Sequence, residues 1–246
     1  MFCCTKCKNF DKIKLYANTK NGDTKKMERR LIVSVIGNAA CAKNECSIMD
    51  KKKWDLAFDL GKTLVDHGCR IVSGGGKGVM RAVFAGAHAS KNYREGDTIA
   101  ILPSYGFETA NDFADILIPT GLDLARDLII ANSEVVVAIG GGSGTLNELS
   151  ASWKTGRLII AYENVEGWSA KLANTTLDNS GRYDFDDKIW GVSSAQEAWD
   201  VIEKYLPMYN KVFNRIPFGK PVLADKCPSN WVGPKQIRDS RDINEL

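Results

Sequence analysis

No apolar run in this sequence approaches the roughly 18–20 residues that a membrane-spanning helix requires, so no transmembrane segment is expected. The amino-terminal "MFCCTKCKNF" lacks the hydrophobic stretch of a secretory signal, and a cytosolic setting is expected. Histidine is scarce: His67 and His88 are the two in the chain, and both lie far from the cysteine cluster. The seven cysteines are odd in number, and Cys41, Cys46, Cys69 and Cys227 are scattered, so a disulfide framework is not expected. Cys4-x-x-Cys7 has half of a zinc-site spacing, but no second pair follows, and no metal site is expected. With Cys3 these residues read as reduced thiols on a solvated tail; lipid modification beside basic residues is the alternative. Internal repeats of solenoid length are also missing.

What is present is an ordinary globular composition, 44% hydrophobic and 26% charged over 246 residues, enough to bury a full core without staples. The net charge of +3 is uneven. Residues 1–30 carry nine Lys/Arg against three Asp/Glu, and residues 207–246 carry seven against four, so the body between them is acidic. Basic ends on an acidic body read first as solvated tails. No aromatics interleave with arginine at a base-stacking spacing, so no clear nucleic-acid partner is expected.

Residues 1–30 are polar without a sustained period and read as a basic flexible arm. Structure is expected from "RLIVSVIG" onward, an apolar, β-branched run of strand length. A helix follows, with Ser47 as N-cap, Trp54, Ala57, Leu60 and Leu64 on one stripe, and Gly68 closing it. The alternation then repeats. "CRIVS", "TIAIL", "DILIPT", "EVVVAI", "RLIIAY" and "KIWGVSS" read as strands. "VMRAVFAGAHAS", "LDLARDLIIANS", "TLNELSASWK" and "SAQEAWDVIEKYL" read as helices, the last with a Ser194/Glu197 capping box. Such alternation implies an α/β fold, a doubly wound, Rossmann-like parallel sheet with helices on both faces. The domain is expected over residues 31–206. Five of the seven prolines fall in residues 207–246, which read as an extended tail.

Two glycine-rich turns, "SGGGKGVM" and "IGGGSGTLNE", each join a strand to a helix. In a parallel sheet both lie on the carboxyl edge, where open α/β sheets bind ligands. Bare backbone followed by a helix start makes an anion site, with phosphate the usual guest. The candidate binding residues are Gly74, Gly75, Gly76, Lys77 and Gly78 in the first turn. In the second they are Gly141, Gly142, Ser143, Gly144 and Thr145. Neither turn fits the Walker or dinucleotide patterns. Asn38 and Ala39, after the first strand, are placed to line the same crevice. Thr145-x-x-Glu148 has the spacing of a capping box, so Glu148 reads equally as a helix cap or as a reagent. His88 reads as a partly exposed helix residue, and Trp153 as core or interface packing.

Taken as a set, "GGGKGVM", "TGLDLARD" and "GGGSGTLNE" resemble the LONELY GUY (LOG), or "lysine decarboxylase-like", superfamily. The LOG enzymes are phosphoribohydrolases that split nucleoside 5′-monophosphates into free base and ribose 5-phosphate. Their signature is PGGxGTxxE, with an arginine one helix earlier. The resemblance implies Glu148 and Arg126 for those catalytic positions. The molybdenum-cofactor carrier proteins form another branch, bind a phosphorylated pterin and show TGLxxARD, matched here from Thr120 to Asp127. Where the enzymes have Pro, Tyr and Glu-Arg-Lys, this chain has Gly140, Ser143 and Ala125-Arg126-Asp127. These departures favour the carrier branch. The resemblance therefore implies a phosphorylated pterin or nucleotide as ligand, the molybdenum cofactor as carried group, and a dimer or tetramer built through helices flanking the site. The phosphoribohydrolase is the alternative. In it, Glu148 would stabilise charge on the anomeric carbon or activate water, and Arg126 would grip the phosphate.

Overall fold

A computed structural model describes residues 14–18, 24–39, 48–179 and 181–209. The cysteine cluster at 3–7, Cys41, Cys46, the Ser47 cap and residues 210–246, with Cys227, lie outside them. Inside the expected basic arm, β1 (Lys14–Asn18) and β2 (Thr24–Glu28) pair antiparallel, with Lys14 opposite Glu28 and Asn18 opposite Thr24.

The body is a seven-stranded sheet. Its strands are β3 (Ile32–Gly37), β4 (Arg70–Ser73), β5 (Thr98–Leu102), β6 (Ile116–Pro119), β7 (Val135–Ile139), β8 (Leu158–Tyr162) and β9 (Trp190–Val192). They stand in the order β6-β5-β4-β3-β7-β8-β9, and every pairing is parallel. The helices are α1 (Ile48–Asp66), α2 (Val79–His88), α3 (Asp127–Ile130), α4 (Ser143–Lys154), α5 (Trp168–Leu172) and α6 (Ala195–Tyr205). The doubly wound α/β fold expected from the alternation is the one observed.

The apolar runs explain the layering. Every residue of β7 and β8 is buried, as strands covered on both faces must be. Successive side chains point to opposite faces. Val135, Val137 and Ile139 join the core under α1, α2 and α6, while Val136 and Ala138 join Ile130, Leu149 and Trp153 on the other side. Each fully buried aliphatic side chain of this kind contributes about 1.5–3 kcal/mol. α1 and α2 cross with their backbones in contact: a Cβ added at Gly86 would lie 2.6 Å from the carbonyl carbon of Phe58.

Two local readings are corrected. "LDLARDLIIANS" is not one helix but a 3-10 turn, Asp123–Arg126, followed by the single-turn α3. Asp123 has φ +48°, and its N–H donates to the Pro103 carbonyl at 3.1 Å, so the start of this segment is tied to the loop after β5 instead of opening a helix. α5 was not anticipated. It follows Gly167, and the N–H groups of Trp168 and Ser169 donate to the carbonyls of Gly141 and Gly140. The α6 cap forms as read, with Glu197 N–H on Ser194 Oγ at 3.2 Å, although the glutamate returns to the Ser193 N–H. His88 is partly exposed, with Nε2 3.0 Å from the Phe113 carbonyl; Trp153 is core, under the Arg182 guanidinium at 3.6 Å.

Candidate anion-binding site

Strand order reverses between β3 and β7. From β3 the chain winds outward through β4, β5 and β6; from β7 it winds the other way through β8 and β9. A crevice opens at such a reversal, on the carboxyl edge. The turns after β3, β4 and β7 therefore stand side by side, and both glycine-rich turns flank the reversal.

Asn38, straight after β3, joins them. Its carbonyl accepts the Val79 N–H at 3.0 Å, at the start of α2, and its Oδ1 accepts the Gly141 N–H at 2.7 Å. In the first turn, Gly74 and Gly75 are buried, Gly76 and Gly78 are half-buried and Lys77 is exposed. Asn111, from the loop before β6, donates its side-chain amide to the carbonyls of Gly75 and Gly76, each at 2.9 Å. In the second turn, the Gly140 N–H is held by Ser169 Oγ at 2.7 Å. Gly141 has φ +96°, a conformation that favours glycine.

These bonds leave the next four amides free. α4 begins at Ser143 with Gly142 as N-cap and no side-chain cap. Its first backbone bond runs from Leu146 N–H to the Gly142 carbonyl at 3.1 Å. The N–H groups of Gly142, Ser143, Gly144 and Thr145 have no acceptor among the described residues, and the first three residues are exposed. Open amides at the positive end of a twelve-residue helix attract an anion.

Arg126 reaches the first turn. Its Nη1 donates to the Ile101 carbonyl at 3.2 Å, and its Nε lies 3.4 Å from Asp127 Oδ1. A Cβ added at Gly74 would lie 2.9 Å from both Cζ and Nη2, and closer still to Nη1. The guanidinium thus occupies the space that any other residue at position 74 would fill.

Glu148 is buried on α4, at 8% exposure. Its carboxyl makes no hydrogen bond among the described residues. The capping-box reading is overturned: the helix starts two residues before Thr145, so Thr145 is not an N-cap and Glu148 lies past the first turn. Burial pushes the Glu148 carboxyl up to about 8; the charge of Asp127 adds to this and Arg126 opposes it. Asp127 is buried too, and accepts from Asn147 Nδ2 at 3.2 Å. Asp127, Asn111 and Ser169 belong to the site's framework and were not singled out as site residues. Only Asp127 had a sequence signal, as an acid beside the motif arginine.

Residues 30–197 match the SLOG cluster4 family. This chain belongs to that family. It is thereby a member of the SLOG/LOG-like superfamily. Among solved structures, it is similar to the molybdenum cofactor binding protein from Rippkaea orientalis, with 30% identity, a TM-score of 0.58, and coverage of 72% of this chain and 98% of that one. It is likewise similar to the molybdenum cofactor carrier protein from Chlamydomonas reinhardtii, at 28% identity and a TM-score of 0.56, covering 72% and 99% of the two chains. An uncharacterized protein of Archaeoglobus fulgidus is 33% identical over 132 residues, 53% of this chain and 79% of that protein. Among the described residues of this SLOG cluster4 member, no helix is long and apolar enough to cross a membrane, and no group of three potential metal ligands converges.

Proposed function

We propose that this chain binds a phosphorylated, ring-bearing small molecule as cargo, a pterin phosphate of the molybdenum-cofactor kind, and holds it without cutting it. The observation that carries the reading is the joined grip. Asn38 fastens both glycine turns, four amides of the second stay open, and Arg126 lies against the first. The likeness to molybdenum cofactor carriers supports the pterin as ligand. Phosphate is the part of the cargo that these residues fit; the pterin and metal are substrate rather than resident chemistry.

The phosphoribohydrolase reading needs an ionised Glu148. Burial pushes that carboxyl up to about 8, so the protonated form predominates at neutral pH and the ionised form that would activate water is the minor one, whereas a carrier does not call on it. The test is a calorimetric titration with a phosphorylated pterin, beside incubation with AMP and an assay for ribose 5-phosphate. Binding without release at pH 7 is the expected result. Release of ribose 5-phosphate that disappears in Glu148→Gln would replace the carrier with the hydrolase.

The cargo site is proposed to work within a homodimer. Leu122, Leu124, Leu128 and Ile129 are exposed in the segment that follows the edge strand β6, and Ile116 and Ile118 of that strand are exposed as well. Exposed apolar side chains, where they form a patch, mark subunit contacts.

A further inference from the structure

Tyr105 stands out among the exposed groups. The residue is 89% exposed, in the loop that follows β5, with the half-exposed Phe107 two residues on. Exposed rings are usually on loose loops, but this loop is fastened at both ends. At its start, four consecutive carbonyls accept from the segment that carries Arg126. The Ile101 carbonyl takes Arg126 Nη1, that of Leu102 takes Thr120 N–H and Oγ1, that of Pro103 takes Asp123 N–H, and that of Ser104 takes Gly121 N–H. At its end, Asn111 clamps Gly75 and Gly76 of the first glycine turn. The ring itself packs against Gly121: a Cβ there would lie 2.6 Å from Tyr105 Cδ1 and 2.7 Å from Cζ. A bare glycine seats the tyrosine ring, and the remainder of the ring is open.

We propose that Tyr105 is the stacking platform of the site, taking the planar heterocycle of a ligand whose phosphate is held by the glycine turns. This rests on the phosphate-binding reading above and adds to it the means by which the site selects a ring-bearing phosphate over a bare sugar phosphate. Aromatic side chains stack on flat heterocycles with little regard to hydrogen-bonding pattern, so the platform suits a pterin or a purine alike. The phosphate grip fixes one end of the ligand, and the four-carbonyl zipper fixes the ring's position relative to Arg126. Stacking on an already ordered loop loses little conformational freedom.

The test compares a ring-bearing phosphate, AMP or a phosphorylated pterin, with ribose 5-phosphate, on the full chain. Tyr105→Ala is expected to weaken the ring-bearing ligand by roughly tenfold or more and to leave ribose 5-phosphate within about twofold. Tyr105→Phe is expected to restore the lost affinity. Equal weakening of both ligands, or of neither, overturns the platform. So does a Tyr105→Ala protein whose molecular mass in solution drops, which assigns the ring to a subunit contact instead. An unsubstituted protein that binds none of these compounds overturns the phosphate-binding reading itself, a result distinct from loss of the ring effect alone.

Discussion

Replacing Gly74 by alanine isolates the contribution of Arg126 without touching it. The added methyl would stand 2.9 Å from Cζ and Nη2 of the guanidinium, against an ordinary separation of about 3.5–4 Å. Nη1 lies closer still, so the guanidinium must withdraw by more than about an ångström, and Nη1 then loses the Ile101 carbonyl. Gly74 is not among the glycines with positive φ, so alanine meets no backbone strain. The displaced group is the far end of a flexible side chain, so the fold should lose less than about 1 kcal/mol. Binding should lose far more. A charge-assisted bond contributes about 1.5–3 kcal/mol, which is roughly 10- to 150-fold in Kd. The assay is calorimetric titration of ribose 5-phosphate into Gly74→Ala, Arg126→Ala and the double variant. If Gly74 acts by seating Arg126, the double variant binds no worse than Arg126→Ala. Additive losses would refute the reasoning, as would full affinity in Gly74→Ala with an unmoved melting temperature.

Three further predictions follow from the same geometry. Between the ordinary carboxyl value of 4.5 and the folded value of about 8, the folded state keeps a proton on Glu148 that the unfolded chain has lost; this contribution is complete below 4.5, and stability falls as pH rises through about 8. Glu148→Gln should flatten that decline in melting temperature across the window; an unchanged pH profile would show that Glu148 is ionised throughout. Gly86→Ala forces a methyl into the Phe58 backbone and should cost about 3 kcal/mol, seen as a melting point lower by roughly 10 °C; a drop under about 2 °C would deny the close α1–α2 crossing. Leu124→Glu with Leu128→Glu should reduce the molecular mass measured by light scattering to that of one chain while the far-ultraviolet dichroism stays native; an unchanged oligomer would place the subunit contact elsewhere.

The fold was legible because its strands are covered on both faces. Covered strands are written as short, continuous β-branched runs, and "EVVVAI" and "RLIIAY" have no other good reading. That the two turns fall between a strand and a helix on the carboxyl edge was legible because glycine concentrates there; Arg126 was singled out by the resemblance. What was not legible is what tertiary contacts decide. Asn111 lies about 35 residues from the glycines it clamps, and nothing near it in sequence marks the role. The 120–126 segment has helical spacing, yet the N–H groups of Thr120, Gly121 and Asp123 are spent on the end of β5 and the loop after it. The β1–β2 pair sits in a stretch whose polar composition hid it, although Asn21-Gly22 between the two strands is a hairpin dipeptide. The Thr145–Glu148 spacing misled for a related reason. Gly142 and Gly144 read as loop, so the helix was expected to open at Thr145, whereas it opens at Ser143.

The balance of charge around α4 bears on the proposal that this LOG-like chain holds its ligand rather than splits it. The open amides and Arg126 present positive charge to the crevice, and Asp127 beside Arg126 offsets part of it. If Glu148 were ionised, two buried carboxylates, both coupled to Arg126, would oppose the approach of a phosphate dianion. With its proton kept, Glu148 adds no charge, and the net field still favours the anion. The hydrolase pattern, Glu-Arg-Lys, puts a cation where this chain has Asp127. A cation there would lower the carboxyl and favour the ionised form that sugar-bond cleavage needs, whereas an aspartate raises it. One residue beside the arginine thus pushes the same glutamate toward opposite states.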